Sequence, residues 1–235
     1  MSARHVSRRA ASARPTGTAG ILMKRAVAAA ALALAVVSML PGCSMVGGSK
    51  NVTLYSPQLK IQPQASWPTV NWPLVVARPL SSDSLDSMQI AVRPQSDTLQ
   101  VYQGAVWSDA VPDLVQSELV RAFEDSGKIV AVGRQSTGVR GDFVLMTDIR
   151  QFESVYRDPA QPPTVVISIQ AKLLAHPNTR VLAMHRFDVE VPAADKEIPS
   201  VVAAFNAALT QVNTDIIGWT LTTGQANAAT VKTKP

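Results

Sequence analysis

The sequence predicts a single compact α/β domain, a mixed and partly antiparallel sheet with two main helices packed against it. Three patterns carry this reading. Val165, Ile167, Ile169, Ala171 and Leu173 alternate with Ser168, Gln170 and Lys172, the period of a strand with one buried face. Val111, Leu114, Val115, Leu119, Ala122 and Phe123 recur at helical spacing. Ile198, Val202, Phe205, Leu209, Val212, Ile216 and Trp219 step by four and three residues and draw an apolar seam along a second helix.

Residues 1–42 read as a basic leader and signal peptide. Met23-Lys24-Arg25 precedes the apolar run Ala26–Leu40, which at fifteen residues is shorter than the ~20 a bilayer span wants. It suits the core of a secretory signal. Leu40-Pro41-Gly42-Cys43 follows, a small residue directly before the chain's single cysteine. A lone thiol cannot close an internal disulfide, and this one stands where a bacterial lipoprotein carries diacylglycerol. The expectation is cleavage between Gly42 and Cys43, with thioether lipid and a fatty acyl chain such as palmitate on Cys43. Pro41 departs from the usual residue types at its position. Met23 makes a better start than Met1, because residues 1–22 hold Arg4, Arg8, Arg9 and Arg14 with no acid. Ser44, rather than Asp, after the cysteine resembles the outer-membrane sorting pattern of Gram-negative lipoproteins.

The leader also distorts the net charge of +5. Six of the 22 Lys/Arg lie in it, leaving 16 against 17 Asp/Glu in residues 43–235. A near-neutral body argues against a dedicated nucleic-acid binder, which needs a basic stripe.

Residues 43–73 read as a lipid-anchored, Pro-rich linker. Pro57, Pro63, Pro68 and Pro73 fix φ and remove donors, so extended backbone is expected. Within it Val52–Tyr55 has the composition of a short strand. Trp67-Pro68 and Trp72-Pro73 offer two candidate partner- or membrane-facing aromatics. The favoured reading is that they fold back over the protein's own core.

The α/β domain is placed at 74–221. Leu74–Arg78, Gln89–Arg93 and Thr98–Val106 read as strands, with Tyr102 and Trp107 as large side chains that pack in the core or meet a partner. The first helix is capped by Ser108 or Asp109, takes Pro112 in its first turn and ends at Gly127. Ile129–Val132 is a short strand and Gly133–Gly141 a loop. Phe143–Arg150, Val165–Leu173 and Val181–Val191 are long strands, the last two joined by the turn His176–Arg180. The second helix spans about Pro199–Leu221, and 222–235 reads as a disordered tail.

Chemistry is sparse. The chain lacks a Gly-x-Ser-x-Gly elbow, a phosphate-cradling glycine loop and a His-Glu-x-x-His motif. Outside the leader only His176 and His185 remain, the first in a turn and the second sharing a strand face with Ala183, Phe187 and Val189. Asp148 and Glu153 are the one pair with an acid–base spacing to consider. No catalytic residue, metal ligand or cofactor is predicted, and the protein is read as not an enzyme.

Lipobox, Leu54-Tyr55-Ser56-Pro57, Tyr102 with Trp107, helix Val111–Phe123 running into Ser126-Gly127, Phe187, Pro192-Ala193, and Val201–Leu209 with Trp219 occur in that order. Together they resemble the ABC-type transport auxiliary lipoproteins of the paraquat-inducible type C kind. The resemblance implies an outer-membrane partner of an ABC permease and ATPase working with an MCE-domain protein. Such systems move lipid or another hydrophobic solute between membranes, with the auxiliary docking on the MCE component, in some cases as a homo-oligomer ring. The alternative is a periplasmic lipid-binding module holding the solute in its own apolar pocket between sheet and helix.

Overall fold

In chain order the elements are β1 (Thr53–Tyr55), β2 (Val70–Val76), β3 (Leu80–Ser81), β4 (Gln89–Gln95), β5 (Thr98–Trp107), α1 (Val111–Ser126), β6 (Ile129–Arg134), β7 (Phe143–Val155), β8 (Thr164–Ala175), β9 (Arg180–Pro192) and α2 (Ile198–Lys232). They come from a computed structural model that describes residues 51–138 and 140–232. A 3-10 turn, Gln135–Thr137, follows β6 in the segment expected to be loop.

β7 is the spine of the nine-stranded sheet. β8 pairs antiparallel along its whole length, and β9 pairs antiparallel with β8. The opposite edge of β7 is met end to end by β2, β3 and β4, each parallel to it. β6 extends the sheet beyond β2, while β5 and then β1 extend it beyond β4. The mixed α/β architecture predicted from the sequence is therefore present.

A bulge between Ile149 and Gln151 sets which side chains of β7 face the core. One extra residue shifts the alternation by one, so Phe143, Leu145 and Ile149 are followed on the buried face by Phe152 rather than by Gln151. These pack with Val165, Ile167, Ile169, Ala171 and Leu173 of β8, all solvent-inaccessible as their alternation requires. Each large apolar side chain buried there contributes ~1.5–3 kcal/mol.

α1 starts one residue later than its expected caps. Ala110 is the N-cap and offers no side-chain acceptor. The Val111 N–H donates instead to the Ser87 carbonyl at 3.1 Å, so the loop before β4 does the work given to Ser108 or Asp109. At the other end Gly127 takes φ 61°, the left-handed conformation that glycine enters without a Cβ penalty.

α2 departs most from expectation. It runs to Lys232, so residues 222–232, expected as disordered tail, are helical. The segment expected as linker also belongs to the domain from Asn51 onward. β1 pairs with β5, the Ser108 N–H donates to the Tyr55 carbonyl at 2.8 Å, and Trp67 and Trp72 are buried. The two findings share a cause. Trp67 seats on Gly218 and Trp72 on Gly224, where a Cβ would lie 2.6 Å from Trp67 Nε1 and 2.7 Å from Trp72 Cη2. Glycine lets both indoles reach the helix backbone, and the Trp72 contact holds helix beyond Leu221 where local apolar periodicity is weak.

Candidate functional site

Gly42 and Cys43, the expected cleavage and lipid-attachment residues, lie outside the described residues. The four aromatic candidates are in the structure, and it draws three of them inward. Trp67 is 5% exposed, and Trp72 and Trp107 are fully buried. The Trp72 ring meets Phe143 edge-on at 4.7 Å. Trp107 makes edge contacts with Phe152 at 5.9 Å and Phe205 at 5.2 Å. A folded domain keeps these three rings under α2, in the core packing that the sequence reading favoured, and not at its surface. Tyr102 is half-buried, its hydroxyl 3.0 Å from Ser154 Oγ. Burial pushes its phenol up to about 12.

The remaining polar candidates are not brought together as reacting groups. His185 is exposed, with its ring 4.6 Å from Phe187 and stacked at 6.3 Å on Trp219. His176 is exposed in its turn, as expected. Asp148 and Glu153 do share one sheet face, but each is held by its own arginine. Arg150 bonds Asp148 at 2.8 Å, and Arg93 forks Glu153 with two bonds of 2.9 Å. Among the described residues no group of three or more His, Cys, Asp or Glu is placed to hold a metal. No helix among them is long and apolar enough to cross a membrane.

Two open clefts have polar linings. The first, about 460 Å³, lies at the carboxyl ends of parallel strands β2 and β6 and is lined by Arg78, Asp113, Gln116, Arg134, Gln135 and Ser136. Ligands of open α/β sheets favour such a location, yet its central cation is already spoken for. Arg78 forks Asp113 at 2.8 and 3.0 Å and Asp86 at 2.8 and 3.1 Å. Bonds from that guanidinium hold both carboxyls below the usual carboxylate range. The arrangement ties the loop before β4 to the first turn of α1. Sequence spacing could not have shown it, because Arg78 and Asp113 lie 35 residues apart.

The second cleft, about 300 Å³, lies where the Trp67 segment crosses α2 and is lined by Gln64, Ser66, Trp67, Thr214, Asp215 and Gly218 among others. Burial raises the Asp215 carboxyl. Neither lining is the apolar pocket that a lipid ligand wants.

A broader feature is the face of β7, β8 and β9 turned away from the buried row. Cross-strand rows run Met146–Lys172–Met184, Asp148–Gln170–Arg186, Gln151–Ser168–Asp188 and Glu153–Val166–Glu190. Ser168 Oγ donates to Asp188 at 2.6 Å and Arg186 Nε to the same carboxylate at 2.9 Å. The Ser168 hydroxyl bond is the leading cause of a lowered Asp188 carboxyl. Beside this polar ladder Val181 and Met184 are 48% and 62% exposed. The face thus sets ion pairs such as Arg186–Asp188 beside an exposed apolar end.

The class is that of a mixed-sheet α/β domain in which, among the described residues, the candidate polar groups are not brought together. The chain belongs to the family of ABC-type transport auxiliary lipoprotein components, which it matches over residues 53–217. It is similar to a Xanthomonas campestris protein of known crystal structure assigned to DUF330. The two are 43% identical with a TM-score of 0.72, over 76% of this chain and 99% of the other. A second solved structure, of an uncharacterised protein, shares the fold at 15% identity and a TM-score of 0.56, over 71% of this chain and 97% of the other. An uncharacterised protein of Bradyrhizobium diazoefficiens is 27% identical over 65% of this chain. The match spans 40% of that relative's length.

Proposed function

We propose that the protein is a non-enzymatic outer-membrane lipoprotein facing the periplasm, tethered through lipid on Cys43. It serves as the docking component of an ABC permease and ATPase system that works with an MCE-domain protein. The system's cargo is lipid or another hydrophobic solute. Family membership supports the transport-auxiliary role, and the sheet carries the docking reading. Its β7–β9 face presents exposed Met184 and Val181 beside a fixed ladder of ion pairs, the apolar-with-polar-rim character of recognition surfaces. A solute-holding module is less well supported, because the sheet–helix interface is filled by inaccessible side chains such as Phe143, Ile167, Phe205 and Val212.

The test is photocross-linking in intact cell envelopes from a reactive group placed by Met184→p-benzoylphenylalanine, a position whose exposure lets the variant fold. Adducts with an MCE-domain protein are expected at this site, and none when the group replaces fully buried Ile216. Envelopes in which Met184 links only to abundant porins would refute the docking role.

A further inference from the structure

The proposed anchor and the observed fold together fix where the domain sits. Between Cys43 and Asn51 there are eight peptide steps. Whatever their conformation, these cannot reach beyond about 29 Å, at most ~3.6 Å per residue. Had all of residues 43–73 been spacer, the domain could stand well clear of its membrane. β1 removes that freedom by joining the sheet at Thr53–Tyr55, and Trp67 and Trp72 lock the following chain under α2.

The tether therefore delivers the domain to the bilayer by one particular edge. That edge carries Val52, directly before β1, and Leu54 within it, two residues apart, the spacing of side chains on one side of a strand. They are 57% and 60% exposed. Single exposed apolar residues are ordinary, but two on one face at the point of attachment are held at high local concentration beside the lipid. We infer that the domain rides directly on the bilayer, β1 edge down, with Val52 and Leu54 resting in the headgroup boundary. This rests on the anchoring proposed above. The sheet order β1-β5-β4-β7-β8-β9 then sets β9 about 24 Å across the sheet from β1, at ~4.8 Å per strand, which leaves the β9 face free for a periplasmic partner.

Lipidation consumes the Cys43 thiol, so an introduced cysteine can be labelled alone. The acylated mature protein carrying Leu54→Cys, or Met184→Cys as reference, is labelled with an environment-sensitive nitrobenzoxadiazole dye. It is then reconstituted into phosphatidylethanolamine–phosphatidylglycerol vesicles containing spin-labelled lipid. The expected result is blue-shifted, quenched emission at position 54 and neither effect at 184. Protein that floats with the vesicles yet shows equal, water-like emission at both positions leaves the anchor standing and overturns the seating. Quenching at 184 and not at 54 overturns it as well. A blue shift at 54 that fades as protein is diluted in lipid would assign the strip to a second copy. Failure to float would remove the anchor, and the seating with it.

Discussion

Gly224→Ala tests whether the last turns of α2 are held by Trp72 or by their own propensity. On an exposed helix the change stabilises by about 1 kcal/mol. Here the new methyl overlaps the Trp72 ring, and that ring is fully buried with Phe143 edge-on against it. Neither partner can retreat without moving the core, so the overpacking cost lies toward the upper end of ~1–3 kcal/mol. The net loss is about 2 kcal/mol, which lowers Tm by roughly 4–8 °C in a domain of this size. Urea and thermal unfolding of the mature chain read it. In a Trp72→Phe background the smaller ring makes room, and the same substitution becomes neutral or stabilising. A Tm that rises on Gly224→Ala in the otherwise natural chain would refute the reasoning, because the helix end would then be undocked.

Three further outcomes are expected. Truncation after Leu221 uncovers Trp72 and shifts tryptophan emission to the red, where a disordered tail would leave the spectrum unchanged. Arg78→Gln lowers stability at neutral pH. Because Arg78 depresses the folded-state values of Asp86 and Asp113, its contribution is complete above the unfolded carboxylate value of ~3.9 and is lost as pH falls through the depressed ones. Urea midpoints of the natural chain and the variant should therefore converge in acid. Glu118→Gln acts with the opposite sign. Burial raises the Glu118 carboxyl, so the charged form costs stability as pH rises from ~4.3 through the raised value. The variant gains over the natural chain at pH 7, and the gap closes toward pH 4.

Sequence pattern foretold the elements whose local periodicity and tertiary packing agree. β8 alternates cleanly because one face is wholly buried, and α1 shows its stripe and its terminal glycine. The end-to-end run of β2, β3 and β4 along β7 was not readable, since strand pairing between distant segments leaves no periodicity in either. The prolines of residues 57–73 argued for a spacer, and proline does shape that backbone. What the composition hid was the partner of each tryptophan. Gly218 and Gly224, six apart in the second helix, were the available signal that large rings approach it. Of the candidate site, the lone cysteine lies outside the described residues, and its lipidation rests on the motif. The aromatic candidates were legible only as a leaning toward the core, because a tryptophan's wish to leave water is also met by a partner or a membrane. The Arg78 clamp joins three segments without any spacing rule, and only the folded chain reveals it.

The pairing of Trp72 with Gly224 also bears on the order of folding. These residues are 152 positions apart, so a chain emerging amino end first presents an uncovered indole until nearly all of it has been made. β2 likewise waits for β6 and β7 before its backbone groups are matched. Both rings that seat on α2 therefore stay uncovered until the carboxyl-terminal helix is in place, so the domain closes late in its synthesis.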